Sequence, residues 1–301
     1  MNKVQNEITL PFGGFYKNYN EIKPFIDKFP KWVKLINGTF QLILTNDIDS
    51  LFACALIMKK FNCNIGFFYD FNSIHMVKGV STTKEKIIAV DMAVESGKAF
   101  DNHVVKINRN DEVNPESANL NIVYNIHQDN YFSKYGGSTA LMVSVMYEMF
   151  DFKTLTENQL MILACIDSFY MGAYHPNTKN YVDAREAFEN TISIMKLDVF
   201  KELFARKKAV DFENFAEIHG LKGTMWVRKK DCKLQTDINI DFIKSQFPML
   251  NFDIEHLQFD KNSKFSKSNK NTLPAPQSKS KIDKLFTFAL TRKYGYKATI
   301  K

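Results

Sequence analysis

Five short runs of this chain are apolar almost without interruption: Phe40 to Leu44, Asn64 to Phe71, Lys86 to Val94, His103 to Asn108 and Asn121 to Ile126. A strand with one face in water alternates polar and apolar side chains, whereas a strand covered on both faces does not. Runs of this length, bounded by polar or Gly- and Ser-containing loops, predict buried strands of a mostly parallel sheet. Such a sheet needs helices on its faces. Leu51 to Lys60 (LFACALIMKK), apolar on nearly all sides before its lysines, is the first of them. The expected fold class is α/β, a mostly parallel sheet flanked by helices.

Further helices are expected where capping residues precede a helical apolar pattern. Gly136 to Phe150 opens with a glycine pair and the capping candidates Ser138 and Thr139, Thr156 to Met171 opens with Thr-x-x-Gln, and Val182 to Met195 follows. The charged stretch 196–215 is helical in composition and reads as a connector. Beyond it, GTMWVRKK and LFTFALTRKYGYKATI read as strands. With 301 residues the chain is long enough for two domains. The expected division is a first domain over 1–195, the connector, and a smaller C-terminal α/β domain over 216–301 with a basic flexible loop at 260–281. That loop is a Lys/Ser/Asn/Pro tract with too little apolar surface to pack a core.

The formal charge of +7 looks like the footprint of a nucleic-acid binder, but its location matters more than its size. From Asp260 to Lys301 there are eleven Lys or Arg against two Asp, a surplus larger than that of the whole chain, so the remainder is slightly acidic. No apolar run approaches the roughly 20 residues that span a bilayer. The N-terminal residues lack the basic and apolar regions of a secretion signal, so a cytoplasmic protein with no membrane partner is expected. Cys54, Cys63, Cys165 and Cys232 show no Cys-x-x-Cys spacing and are expected to be free thiols in a reducing compartment.

Acidic residues fall where such a sheet would collect them. Asp47 and Asp49 interrupt LILTNDIDSLFACA between the first strand and the first helix, and Asp91 ends KIIAVD. Asp101 and His103 open the next run in FDNH, and Asp167 lies within the helical LMILACIDSFYMG. In an open α/β sheet the carboxyl ends of the strands line one crevice, and ligands bind there. Four or five carboxylates meeting in it repel one another unless cations lie between them. Hard divalent ions such as Mn²⁺ or Mg²⁺ take oxygen ligands, and two of them about 3.5–4 Å apart form a hydrolytic site. Taken singly, the acids have plainer roles: Asp49 or Ser50 can cap the helix at Leu51, Asp91 can serve a turn, and His103 can be structural. Asp167, an acid amid apolar neighbours, needs a partner on any reading.

Taken in order, Asp47-Ile48-Asp49-Ser50, Asp91, Asp101-Asn102-His103, Gly136-Gly137-Ser138-Thr139 and Asp167 resemble the motif series of the DHH phosphoesterase family, named for its Asp-His-His motif. The resemblance covers roughly Phe40 to Gly172. It implies a divalent-metal-dependent phosphoesterase hydrolysing phosphodiester or phosphoanhydride bonds in nucleotides or short single-stranded nucleic acid. It implies metal ligands at Asp47, Asp49, Asp91, Asp167 and position Asn102, with Asp91 bridging two ions of Mn²⁺ or Mg²⁺. Asp101 and His103 would be catalytic, His103 facing the scissile phosphate, and Ser138 and Thr139 would touch substrate.

The chain departs from the family in three places. Ile43 and Thr45 stand where a further His or Asp precedes the Asp-x-Asp, Asn102 replaces the first histidine of the motif, and no glycine-rich substrate-gripping motif follows Gly172. Asparagine offers a metal only a neutral carbonyl oxygen. His127 either compensates or is a solvent-facing loop residue. Substrate binding is then expected from Arg292 and Lys293 with Tyr294 and Tyr296 beside them, since basic groups among aromatics suit phosphate plus a stacked base, although a solvated strand face has the same composition. The departures keep open a second function, a catalytically degenerate relative serving as a nucleotide- or nucleic-acid-binding module or a replication-associated scaffold.

Overall fold

The computed structural model describes residues 22–260, 263–264, 267–270 and 278–300. A short helix, α1 (Lys23–Ile26), precedes β1 (Gln41–Leu44), α2 (Ile48–Phe61), β2 (Asn64–Tyr69), β3 (Ser73–Met76), β4 (Ile87–Val90), β5 (Lys98–Phe100) and β6 (Ser117–Ala118). These strands form a central sheet in the order β6-β5-β4-β1-β2-β3, antiparallel only between β2 and β3. Leu42, Ile43 and Leu44 of β1 are all buried, which is what the lack of alternation predicts. The chain leaves β1 to pair with β2 on one side and returns to place β4 on the other. The topological switch point therefore lies between the carboxyl ends of β1 and β4, the ends that carry Asp47, Asp49 and Asp91.

Two expected strands are absent. His103 to Asn108 contributes only a single bridge, Val104 to Leu290, and the strand after β4 is β5 instead. Asp101 thus follows the carboxyl end of a strand rather than opening one. Asn121 to Ile126 begins inside a helix, α3 (Leu120–Val123), whose cap Asn119 accepts from the Asn121 backbone amide. A short buried helix and a buried strand share the same unbroken apolar pattern, so periodicity could not separate them.

The helices that follow are α4 (Thr139–Met146), α5 (Glu157–Cys165), α6 (Val182–Ile194), α7 (Asp198–Arg206) and α8 (Ala209–Ile218). At α5 the expected capping box forms: Thr156 Oγ1 accepts from the Gln159 amide and Gln159 Oε1 accepts from the Thr156 amide. Replacing Thr156→Ala removes one half of it, for an expected cost of about 1 kcal/mol. Urea unfolding should show a lower midpoint at an unchanged slope. The interval 196–215 carries α7 and the start of α8, whose Phe200, Leu203 and Phe212 are fully enclosed. Tyr170 stacks on Phe212 at 4.8 Å.

Strands β7 (Met225–Val227) and β8 (Leu234–Thr236) pair with each other, and α9 (Ile240–Gln246) leads to Phe247 and Phe252. Those two rings pack on Phe52 of α2 at 4.9 and 5.3 Å. The short β9 (Ser263–Lys264) extends the central sheet beyond β3. β10 (Lys267–Lys270), β11 (Leu285–Arg292) and β12 (Gly295–Ile300) form a small antiparallel sheet. It is seated on the main sheet: Phe288 N donates to Ala93 O at 3.0 Å, Leu290 N donates to Val104 O at 2.8 Å, and the Tyr69 hydroxyl bonds to Thr287 and Thr299. The turn between β11 and β12 consequently lies near the strand ends that carry the acids. Much of the expected basic loop at 260–281 lies outside the described residues, but its end is anchored. Ser278 Oγ donates to Asp111 at 2.7 Å and the buried Lys279 ammonium meets Glu95 at 2.8 Å. The four cysteines are free, and among the described residues no helix is long and apolar enough to cross a membrane.

Candidate metal centre

Each acid of the centre is held at the end of an element. Asp47 sits in the loop after β1, Asp49 in the first turn of α2, Asp91 directly after β4 and Asp101 directly after β5. Asp167 does not lie within a regular helix as its apolar neighbours suggest. α5 ends at Cys165, and Asp167 and Ser168 take left-handed φ values of 51° and 54°. Asp91 has φ 56°. Three non-glycine residues in this sparsely populated region at one site mark backbone strain held by the surrounding fold.

The hydrogen bonds show which oxygens are already committed. Asp47 Oδ1 accepts from the Ser50 amide at 3.2 Å, so Asp47 is the cap of α2. Asp49, the alternative cap, serves a different helix: its two oxygens accept from Thr139 N at 2.8 Å and Ala140 N at 2.7 Å at the start of α4. A carboxylate there satisfies two helix-end donors and meets the positive end of the helix dipole. Thr139 Oγ1 donates to Asp91 Oδ1 at 2.9 Å, so one residue ties Asp49 of α2 to Asp91 after β4, by its amide and its hydroxyl. Ser138, the cap of α4, accepts from Leu141 N at 3.0 Å. Ser138 and Thr139, expected against substrate, are thus bonded to the protein itself.

The imidazole of His103 is fixed by Asp101, which is held in turn by an amide that the sequence does not advertise. His103 Nδ1 lies 2.6 Å from Asp101 Oδ1 and 3.9 Å from Asp91 Oδ1. The other oxygen of Asp101 accepts from Asn119 Nδ2 at 2.8 Å, and the same amide group donates to His103 O at 2.8 Å. Asn121 Nδ2 donates to Asn102 O at 2.6 Å. Asn119 and Asn121 are fully buried. Their only signal in the sequence is a pair of amides breaking an apolar run in ANLNIVYNI.

Burial together with the charge of Asp167 raises the Asp47 carboxyl to about 6. Burial, then Asp91, Asp167 and Asp47, raises Asp49 well above the ordinary carboxylate range, and burial and Asp47 do the same for Asp91. Burial opposes a charged His103, but Asp101, Asp91 and Asp167 overcome it and lift the imidazole to about 10. One imidazolium cannot balance Asp47, Asp49, Asp91, Asp101 and Asp167, so the pocket remains short of positive charge.

Carboxylate oxygens, the donors that a hard divalent ion takes, are gathered here. Asp47, Asp91 and Asp167 interact electrostatically with one another, and the Asp47 carboxyl also accepts from the backbone of Ser50 and Asp49. Asp91, Asp101 and His103 also bring ligand atoms within 4.8 Å of one another. The second ion of a two-metal site fits less well. Asn102 Nδ2 donates to Asp167 Oδ2 at 2.6 Å and to Gly137 O at 3.1 Å, so a neutral donor, not an acceptor, faces Asp167. Ile43 packs in an apolar cluster with Phe67 and Ala89, and Thr45 is buried with its hydroxyl unpartnered. His127 is paired with Asp129 at 3.7 Å and is not part of the cleft.

A cleft of about 250 Å³ reaches this centre at Asn102, His103 and Asp167 and is lined also by Tyr131, Lys134 and Thr291. Lys293 projects over the rings of Phe132 at 5.8 Å and Tyr294 at 5.6 Å, while Arg292 is exposed at the hairpin turn. Tyr296 is buried and stacks on Phe288 at 5.5 Å, so it belongs to the packing of the small sheet and not to a substrate face. Phe132 and Lys134 were missed because a loop carries no periodicity. No family model, no curated protein and no solved structure matches this chain, so the atoms of the site carry the functional case.

Proposed function

We propose that this chain is a divalent-metal-dependent phosphoesterase, using Mn²⁺ or Mg²⁺ to hydrolyse phosphodiester or phosphoanhydride bonds in nucleotides or short single-stranded nucleic acid. The observation that supports this reading most is the convergence of carboxylates from β1, α2, β4, β5 and the break after α5 at the switch point of a parallel sheet, with too little protein charge to neutralise them. The ordered likeness to the DHH phosphoesterase motifs agrees with it, and the free thiols suit a cytoplasmic protein.

A bound divalent ion would supply charge neutralisation, polarise a phosphoryl oxygen and lower the pKa of water. The side chains of this chain do the rest. Asp47, Asp91 and Asp167 hold the ion, and Asp49 fixes the α2 loop against α4 so that they stay aligned. Asp101 orients His103, whose Nε2 is left to face a phosphoryl or leaving-group oxygen in the cleft as a proton donor. Turnover of a chromogenic phosphodiester and a short oligonucleotide, with and without Mn²⁺, tests the reading: Mn²⁺-dependent hydrolysis supports it, and tight nucleotide binding with no turnover supports a non-catalytic binding module.

The contact between Asn102 and Asp167 is what favours that second reading. In the enzyme reading Asn102 is the weak point, since an imidazole is a stronger metal ligand than an amide carbonyl. Asn102→His should therefore tighten Mn²⁺ binding and raise turnover at least about tenfold, equivalent to roughly 1.4 kcal/mol of barrier. Isothermal titration and initial rates check both. Tighter binding with no gain in turnover would place the remaining defect at Ile43 and Thr45.

A further inference from the structure

We propose that Phe132 and Tyr294 form a nucleobase-stacking subsite at the mouth of the cleft, with Lys293 and Lys134 set for the adjoining phosphates. The ligand class is then a base-bearing single strand rather than an inorganic polyphosphate. This inference deepens the phosphoesterase reading and rests on it for the location of the reacting phosphate.

The mouth has two lips. One is the loop 131–137, and the other is the turn between β11 and β12, brought there by the bond from Leu290 N to Val104 O. Each lip exposes a large ring to solvent, Phe132 at 44% and Tyr294 at 55%. Lys293 spans them, its ammonium 5.8 Å from one ring centroid and 5.6 Å from the other. On the first lip Lys134 lies 5.1 Å from the ring centroid of Tyr131, which lines the cleft. Inorganic phosphate needs no aromatic surface, and a nucleobase does.

The free protein already fills the stacking positions with a weaker ligand. An exposed ammonium on an aromatic face is held less strongly than a stacked base, so an incoming base displaces Lys293 from the rings. The displaced ammonium remains tethered beside them, where the next phosphate of the strand lies. The lysines also answer an electrostatic problem. Asp167 in the cleft wall, with Asp91 and Asp101 behind it, repels a polyanion, and cations at the lips offset that repulsion along the way in.

The test uses a single-stranded pentadeoxynucleotide with a terminal 2-aminopurine, titrated into the full-length protein in EDTA so that nothing is hydrolysed. Stacking should quench the fluorophore. Phe132→Ala and Tyr294→Ala should each weaken binding about tenfold, the loss of one stacked base. Lys293→Gln and Lys134→Gln should each reduce the log-log salt slope by about 0.7. All four side chains are partly or fully exposed, so the variants should melt with the wild type, which calorimetry verifies. Unchanged affinity in both alanine variants overturns the subsite, as does displacement of the strand by tripolyphosphate at concentrations equal to those of an unlabelled strand. Hydrolysis of a chromogenic diester with Mn²⁺ is measured on the same samples. Phe132-dependent quenching without hydrolysis keeps the subsite and removes the phosphoesterase reading, whereas hydrolysis without quenching does the reverse.

Discussion

Asp91→Asn should lower Mn²⁺-dependent phosphodiester turnover by about 100- to 1000-fold, the range for removal of one electrostatic stabiliser of a transition state, and should also stabilise the protein without metal. The two effects have one cause. Asp91 is buried, and burial together with Asp47 raises its carboxyl well above the ordinary range, so its ionised form is held at a cost to the fold. Asparagine has the same shape and keeps an acceptor for Thr139 Oγ1, now 2.9 Å from Asp91 Oδ1, but carries no charge. Each kcal/mol of repulsion relieved should raise the melting temperature by about 1.5–2 °C in a chain of 301 residues. Calorimetry of the metal-free variant and its initial rates in Mn²⁺ check the pair. A variant that is less stable and equally active would mean that Asp91 serves the turn after β4 and nothing more.

Without metal, the protein should melt at a higher temperature at pH 5 than at pH 7.5, and saturating Mn²⁺ should reverse that order. Asp47 has its folded pKa raised from 3.8 to about 6. Between those values the folded state binds more protons than the unfolded one, so stability falls as pH rises through the window. The shift corresponds to about 3 kcal/mol for this group. Asp49 and Asp91 move in the same direction. His103, lifted to about 10, stabilises the fold below its unfolded value of 6.5 and loses that contribution as pH rises through 10, which adds the same sign at the upper end. Hydrogen bonds hold Asp70 and Asp111 below 3.8 despite their burial, so their opposite effect falls at lower pH and does not mask the trend. Mn²⁺ binds the ionised carboxylates, so at 100 times its Kd it should add about 2.7 kcal/mol near neutrality and less at pH 5. A metal-free melting temperature that rises from pH 5 to 7.5 and ignores Mn²⁺ would show that the carboxylates are compensated by the protein alone.

The parts of the fold and site that were legible in the sequence share a physical reason. β1 and α2 could be read because a strand and a helix covered on all sides leave no polar periodicity, and the acids stood out against that background. The cap of α2 was expected at Asp49 or Ser50 but is Asp47, whose Oδ1 accepts from the Ser50 amide. Asp49 caps a helix ninety residues away in the chain, which no local pattern records. The break at Asp167 was hidden because its apolar neighbours continue the helical pattern through residues whose backbone has left it. Asn119 and Asn121 were silent because a buried amide acquires meaning only from its partners. Tyr294 and Tyr296 were read as one group, yet the turn exposes the first and the strand buries the second.

The central claim is that the acids at the switch point hold a divalent cation. An anomalous difference map at the manganese edge, from a crystal grown in millimolar Mn²⁺, tests it most directly. The account predicts a peak in the cleft with oxygens of Asp47, Asp91 and Asp167 at about 2.0–2.3 Å, and a second, weaker peak only in Asn102→His. A map with no peak among these carboxylates, or with manganese only on the outer surface, would contradict it.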